Sequence, residues 1–192
     1  MKKEKILDIF EKTSLMQKGH FLLTSGRHSD TYMQCARLFE YPEYSEMMSK
    51  DIAEAFKKDN VDLVVGPAMG GVILSYEVSR HLGVRNFFAE RVDGAMVLRR
   101  GFEISPGQNV LVVEDVVTTG GSVAEVISLV KEIGANVVGV GLVVDRSNGV
   151  VDFGCKKHAV LTTEVISYEA AQCPICKTDM PLVKPGSRKT FS

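Results

Sequence analysis

Two adjacent carboxylates, Glu114 and Asp115, stand shortly before a turn that is rich in hydroxyl groups and glycine, at residues 118–122. The residues in front of the acids, 110–113, are apolar and mostly β-branched, a composition typical of a buried strand. After the turn, apolar residues recur at the spacing of an amphipathic helix. A helix N-terminus offers an anion its unpaired N–H groups and a favourable dipole, and glycine lets the backbone approach closely. The pattern therefore predicts a phosphate site at a strand-to-helix turn.

The acid pair narrows the class of ligand. A plain phosphate site gains nothing from two carboxylates, whereas ribose hydroxyls, or a phosphate that is bound with a divalent cation, would use them as acceptors. The sequence lacks both a Gly-x-x-x-x-Gly-Lys motif and a Gly-x-Gly-x-x-Gly motif that follows a strand. An ordinary strand-to-helix turn without a ligand is the alternative interpretation.

The combination of strand, acid pair, turn and helix resembles the 5-phosphoribosyl 1-pyrophosphate (PRPP) motif of the type I phosphoribosyltransferase family. The resemblance implies that Glu114 and Asp115 face the ribose hydroxyls, that the turn holds the 5′-phosphate, and that Mg²⁺ arrives with PRPP. A second glycine-rich turn, at residues 66–71, follows another apolar run and matches the pyrophosphate loop of the family. The PRPP-binding residues implied are Ala68, Met69, Gly70, Gly71, Arg91, Glu114, Asp115, Val116, Val117, Thr118, Thr119, Gly120, Gly121 and Ser122.

A further apolar run ends in Asp145 and Arg146, at the sheet edge where the ligand is expected. The planar fork of an arginine suits a carboxylate, so Arg146 indicates an acidic second substrate, although a surface Asp-Arg pair would look the same. Together with residues 23–26, this narrows the resemblance to the branch of the family that uses orotate. The implied reaction transfers the phosphoribosyl group of PRPP to orotate, giving orotidine 5′-monophosphate and pyrophosphate for pyrimidine synthesis. The orotate-binding residues implied are Thr118, Arg146, Tyr32 and Met33.

The chain departs from the family at several basic positions. Lysines that are common before the Ser-Gly pair and in the pyrophosphate loop are replaced by Thr24 and Gly70. The Lys and His cluster of the mobile loop is also missing, and we expect arginines to neutralise pyrophosphate instead. The alternative is that these arginines are ordinary solvent-exposed surface residues. The family loop often completes the site of a neighbouring subunit, which implies a homodimer. The catalytic residues expected are Glu114, Asp115, Arg91, Arg99 and Arg100.

Strand and helix patterns alternate along the chain, which predicts an α/β fold with a mostly parallel twisted sheet and helices on both faces. We expect one domain, 1–192, made of an N-terminal helix and hood (1–40), an α/β core (43–168) and an irregular or frayed C-terminal tail (169–192). Within the core, the pattern predicts a strand near residues 86–89 and an irregular piece at residues 90–108.

Composition excludes several functional classes. The chain has 192 residues, of which 45% are hydrophobic, and its 23 basic and 24 acidic residues leave a net charge of −1. This balance argues against binding to nucleic acid and against binding to a membrane surface. No signal peptide or membrane-length apolar run is found, so a cytoplasmic location is expected.

Two alternative functions remain. One is a purine-base phosphoribosyltransferase, which needs no arginine for a base carboxylate. The other is a PRPP-binding regulatory protein, which should carry a basic surface.

The cysteines allow one metal site. Cys173 and Cys176 have the spacing of half a zinc site, which Cys155 or His158 could complete, although an incidental thiol pair explains the spacing as well. His20 and His28 lie in the hood and are expected to be polar surface groups.

Overall fold

A computed structural model describes residues 1–23 and 25–185. In the described part of the chain, no helix is long and apolar enough to cross a bilayer. The elements in chain order are α1 (Lys3–Lys12), β1 (Met16–Leu22), β2 (His28–Met33), a 3₁₀ helix (Cys35–Glu40), α2 (Pro42–Phe56), β3 (Leu63–Pro67), α3 (Gly70–Leu82), β4 (Arg85–Val92), β5 (Ala95–Leu98), β6 (Asn109–Val117), α4 (Gly121–Glu132), β7 (Asn136–Asp145), β8 (Lys157–Thr162), β9 (Ser167–Tyr168) and β10 (Leu182–Val183).

The central sheet has six strands in the order β5-β4-β3-β6-β7-β8, and all neighbours are parallel except β5 with β4. Alternate residues of β6 pack into two different hydrophobic clusters. Leu111 joins one cluster with residues of α1, α2 and α3, and Val112 joins the other with residues of α4. Both faces of the sheet are therefore covered by helices, and the predicted fold class is confirmed.

An antiparallel hairpin, β4 and β5, occupies part of the segment expected to be irregular, so the prediction for residues 90–98 is wrong. Its two-residue turn is Asp93-Gly94, with φ of 49° and 87°. Two left-handed residues are what a type I′ turn requires, and an Asp-Gly pair is a strong signal for that turn. Residues 90–98 are thus part of a short, hydrogen-bonded hairpin.

The hood is a second sheet with four strands in the order β10-β1-β2-β9. Two of its strands come from the C-terminal part of the chain: β9 pairs with β2, and β10 runs parallel to β1. Residues 167–168, expected in the α/β core, and residues 182–183, expected in an irregular tail, are therefore strands of the hood sheet. Both added strands have only two residues, which is too short to show a period in the sequence. Thr24 and residues 186–192 lie outside the described residues.

Candidate active site

The carboxyl ends of the parallel strands β3, β6 and β7 meet at one edge of the central sheet, where ligands bind in open α/β folds. The turn from β6 into α4 encloses a cavity of about 260 Å³ at this edge. The predicted phosphate turn is thus concave and backed by a helix N-terminus. The cavity is lined by Glu114, Val116, Val117, Thr118, Thr119, Gly120, Gly121, Ser122, Val123 and Glu125.

Gly120 is required at this turn for two reasons. Its φ is 80°, a left-handed conformation that favours glycine, and it precedes the first residue of α4. A Cβ atom at Gly120 would lie 2.8 Å from Cγ1 of Val151, which packs behind the turn. Because Gly120 has no side chain to cap the helix, the N–H groups of the first turn of α4 remain available to an anion.

The acid pair lies at the end of β6 in an enclosed position. Glu114 is 9% exposed, Asp115 is half-buried, and the backbone N–H of Asp115 donates to Oε1 of Glu114 at 3.1 Å. Burial raises the pKa of both carboxyl groups, and the charge of Asp115 raises the pKa of Glu114 further. Two such groups are stabilised in their charged form by hydroxyl donors or by a cation, which is the expected role of a ribose or of Mg²⁺.

The predicted pyrophosphate loop packs directly against this pair. A Cβ atom at Gly70 would lie 2.5 Å from Oδ2 of Asp115, and the N–H of Ala68 donates to the carbonyl of Ala89 at 2.8 Å. Any side chain at position 70 would displace the Asp115 carboxylate. The absence of a lysine at Gly70 is therefore consistent with the shape of the site, while Met69 stands 87% exposed beside it.

Arg146 follows β7, and its guanidinium forms no hydrogen bond or salt bridge with the described residues. Its backbone N–H donates to the carbonyl of Val117 at 2.8 Å, which ties it to the phosphate turn. Its Nε atom is buried without a hydrogen-bond partner among the described residues, and burial lowers its pKa. Asp145, its neighbour, is fully buried and binds Ser147 and Lys157 instead. The alternative of a surface Asp-Arg pair is thereby wrong.

The connection between β7 and β8 is held by a small polar network. Nζ of Lys157 donates to Oδ2 of Asp145 at 2.9 Å and to the carbonyl of Val151 at 2.5 Å. The hydroxyl of Ser147 accepts from the N–H of Val151 at 3.1 Å and donates to Oδ1 of Asp145 at 2.6 Å. This network fixes the residues that follow Arg146 and the residue that packs behind Gly120.

A second cavity of about 480 Å³ lies between the hood and the sheet edge. It contains Arg146 and adjoins the first cavity, because Thr118 lines both. Ser25 and Leu23 belong to the motif noted in the sequence, whereas nothing in the sequence indicated Pro185. The lining residues are Leu22, Leu23, Ser25, Tyr32, Thr118, Arg146 and Pro185.

Three of the four residues expected at the base pocket are thus brought together, and Met33 is not. Met33 is 6% exposed and packs in the hydrophobic cluster that contains residues of α1, α2 and α3. Tyr32 and Met33 are adjacent in β2, so their side chains point to opposite faces of the strand. Only Tyr32 can reach the cavity.

The loop arginines differ in position. Arg91 pairs with Glu125 of α4 at 2.9 Å, and Glu125 lines the phosphate cavity, so Arg91 reaches the rim. Arg100 pairs with Glu90 at 2.9 Å, and Arg99 is exposed. Neither Arg99 nor Arg100 lines the two cavities as far as the chain is described. Their role with pyrophosphate stays a prediction.

The chain is similar to known proteins over most of its length. A model of the phosphoribosyl transferase domain matches residues 43–164. The orotate phosphoribosyltransferase of Caldanaerobacter subterraneus subsp. tengcongensis is 60% identical over 189 residues, which are 98% of this chain and 100% of that protein. The orotate phosphoribosyltransferase of Thermotoga maritima is 57% identical over 183 residues, which are 95% and 98% of the two chains. The solved orotate phosphoribosyltransferase of Mycobacterium tuberculosis is similar with a TM-score of 0.68 at 27% identity, covering 82% of this chain and 95% of that one.

Proposed function

The chain belongs to the phosphoribosyltransferase family, and we propose that it acts as an orotate phosphoribosyltransferase through the two adjoining cavities described above. It transfers the phosphoribosyl group of PRPP to orotate, giving orotidine 5′-monophosphate and pyrophosphate in pyrimidine biosynthesis. One observation carries this assignment to the site: Thr118 lines both the phosphate cavity and the cavity of Arg146, whose guanidinium has no partner among the residues that the structure describes. A phosphoribosyl donor in the first cavity would therefore meet an anionic acceptor in the second.

The transfer needs orientation and charge stabilisation and no covalent nucleophile. As pyrophosphate leaves, the anomeric carbon of the ribose becomes positively charged, and N1 of orotate attacks it. The carboxylates of Glu114 and Asp115 bind the ribose hydroxyls and support this developing charge. The residues at 118–122 hold the 5′-phosphate, which fixes the ribose with respect to the acceptor. Arg146 binds the orotate carboxylate with its planar fork.

The leaving group is received at the loop of residues 68–71. Backbone N–H groups of this loop contact pyrophosphate, and Arg91 at the rim of the cavity adds positive charge once it leaves Glu125. Arg99 and Arg100, which directly follow β5, would add further positive charge for pyrophosphate. The oxygen-rich set at the pair Glu114 and Asp115 suits Mg²⁺, which when bound would neutralise charge on pyrophosphate.

The two rival functions are less well supported. A purine base carries no carboxylate, and it would leave the half-buried guanidinium of Arg146 without a partner. A PRPP-binding regulator of nucleic acids should carry a basic surface, whereas the net charge of the chain is −1.

A homodimer fits one exposed face of α3. Ile73 and Tyr76 are 48% and 58% exposed and lie on one side of the helix, near the exposed Met69. Beside them, Phe88 and Phe102 line an apolar groove. Large exposed apolar side chains in a cluster are typical of protein contacts, and a second copy of this chain is the occupant that the family implies.

The test of the function is a panel of acceptor bases with PRPP and Mg²⁺. Uracil is the matched control for orotate, because it is the same ring without the carboxylate; adenine and hypoxanthine test the purine alternative. We expect nucleotide formation with orotate and a value of kcat/KM at least 100-fold lower with every other base. For uracil, this factor corresponds to about 2.7 kcal/mol of binding energy contributed by the carboxylate of orotate. Equal use of uracil would remove the argument from Arg146, and preference for a purine would overturn the proposal.

A further inference from the structure

Four side chains with metal-binding atoms meet in the hood, away from the two substrate cavities. His20 comes from β1, His28 from β2, and Cys173 and Cys176 from the segment before β10. Their ligand atoms all lie within 4.8 Å of one another. His20, His28 and Cys173 are 3%, 6% and 2% exposed, so the cluster is largely shielded from water. None of the four residues lines either substrate cavity in the described structure.

Four of the six distances between these atoms are close to those in a tetrahedron around one ion. With Zn–S of about 2.3 Å and Zn–N of about 2.0 Å, tetrahedral geometry puts two nitrogens about 3.3 Å apart and a nitrogen and a sulfur about 3.5 Å apart. Nε2 of His20 lies 3.0 Å from Nδ1 of His28. Sγ of Cys173 and Sγ of Cys176 lie 3.5 Å and 3.6 Å from Nε2 of His20, and Sγ of Cys176 lies 3.2 Å from Nδ1 of His28.

The outer contact of His20 supports the same arrangement. Its Nδ1 atom lies 3.2 Å from the carbonyl of Met180, to which it can donate a proton. That bond leaves Nε2, the atom inside the cluster, with a free lone pair. Metal-binding histidines usually have such a partner on the other ring nitrogen, because it fixes the tautomer and the ring orientation.

We propose that His20, His28, Cys173 and Cys176 bind one Zn²⁺ ion in a closed, structural site. Two thiolates and two imidazoles in tetrahedral positions form a common zinc-ligand set, and four protein ligands leave no open position for catalysis. The predictions of Cys155 or His158 as partners of the Cys-x-x-Cys pair, and of His20 and His28 as surface groups, are wrong. Cys155 packs in the hydrophobic cluster with α4, and Nε2 of His158 lies 3.0 Å from Oδ2 of Asp51.

The site joins parts of the hood that are far apart in the sequence. It links the β1-β2 hairpin to the C-terminal segment, which then continues through β10 to Pro185 at the wall of the Arg146 cavity. The parallel pairing of β10 with β1 involves only two residue pairs, so it is weak by itself. The metal therefore holds the C-terminal segment against the β1-β2 hairpin, and its removal should lower the free energy of unfolding.

The first experiment measures metal in the purified protein. We expect about one zinc per chain in the wild type and in Cys155→Ser, and less than one tenth of that in Cys176→Ser. Cys155→Ser is the matched control, since it also removes one thiol. Cys176 is exposed, so its replacement should disturb the packing least. Replacement of zinc by Co²⁺ should give the visible bands and thiolate charge-transfer absorption of tetrahedral cobalt in the wild type and in Cys155→Ser.

A second measurement keeps the proposal falsifiable if Cys176→Ser does not fold. A chelator added to the reduced wild-type protein should lower its Tm by several degrees, and one equivalent of Zn²⁺ should restore it. Wild-type protein that contains no zinc and takes up no Co²⁺ under reducing conditions would overturn the proposal. Equal loss of metal in Cys155→Ser and Cys176→Ser would overturn the ligand assignment.

Discussion

The Arg146→Ala variant tests recognition of the base while leaving the residues that bind PRPP in place. Its guanidinium lies in the cavity next to Thr118, and no carboxylate among the described residues pairs with it. Arg146→Ala therefore breaks no internal ion pair, and it removes a charge whose burial is unfavourable. We expect the Tm of the free protein to stay the same or to rise slightly.

The cost to catalysis follows from the position of the group. Truncating one member of a buried, hydrogen-bonded charge pair costs about 2–5 kcal/mol. Arg146 is only half-buried, so the lower part of that range applies, about 2–3 kcal/mol. At about 1.4 kcal/mol per factor of ten, kcat/KM for orotate should fall about 30- to 150-fold. The affinity for PRPP should change less than threefold, because its phosphate binds on the turn before α4.

The assay follows the consumption of orotate at saturating PRPP, with PRPP affinity measured separately by calorimetry. Arg146→Lys tests the shape of the group: a point charge cannot form the bidentate fork, so this variant should recover less than half of the lost free energy. Arg37→Ala, which removes a partly exposed arginine paired with Glu40, is the control and should leave the kinetics unchanged. Wild-type kinetics with orotate in Arg146→Ala would refute the assignment of the carboxylate.

Three other perturbations test the rest of the site and the assembly. Gly70→Ala should raise the KM for PRPP at least tenfold with little loss of Tm, because its Cβ would meet the Asp115 carboxylate at 2.5 Å; unchanged KM would contradict the packing of the loop on the acid pair. Burial and then the charge of Asp115 raise the pKa of Glu114 to about 9 from 4.5, so the folded state binds this proton more tightly than the unfolded state. The free energy of unfolding without ligands should therefore decrease as pH rises from about 5 to 9, and urea titrations should show a weaker decrease in Glu114→Gln. Tyr76→Glu should shift sedimentation from dimer to monomer, while a dimer that persists would exclude this face of α3 as the contact.

The sequence was sufficient for the phosphate turn because several local signals coincide there. The apolar strand, the acids, the glycines and the amphipathic helix all lie within residues 109–132, and the structure shows the predicted strand and helix there. The hairpin turn at Asp93-Gly94 depends on an equally local signal, because an Asp-Gly pair by itself favours a type I′ turn.

Other features depend on contacts between distant segments. Met33 is in the core and Tyr32 in the cavity because the register of β2 in the hood decides which face each side chain takes, and that register is set by β1 and β9. The partners of Cys173 are His20 and His28, which lie about 150 residues earlier in the chain. No spacing within a local window could indicate such a set.

The connection between β7 and β8 has a consequence for how the two substrates influence each other. Its first residue, Arg146, faces the base, and Val151 supports Gly120 from behind the phosphate turn, while Lys157 and Asp145 hold the two ends together. Because both ends belong to one hydrogen-bonded network, a ligand that stabilises the network from one end also favours the arrangement that the other ligand binds. Binding of PRPP should therefore increase the affinity for orotate, and by thermodynamic reciprocity orotate should increase the affinity for PRPP by the same factor.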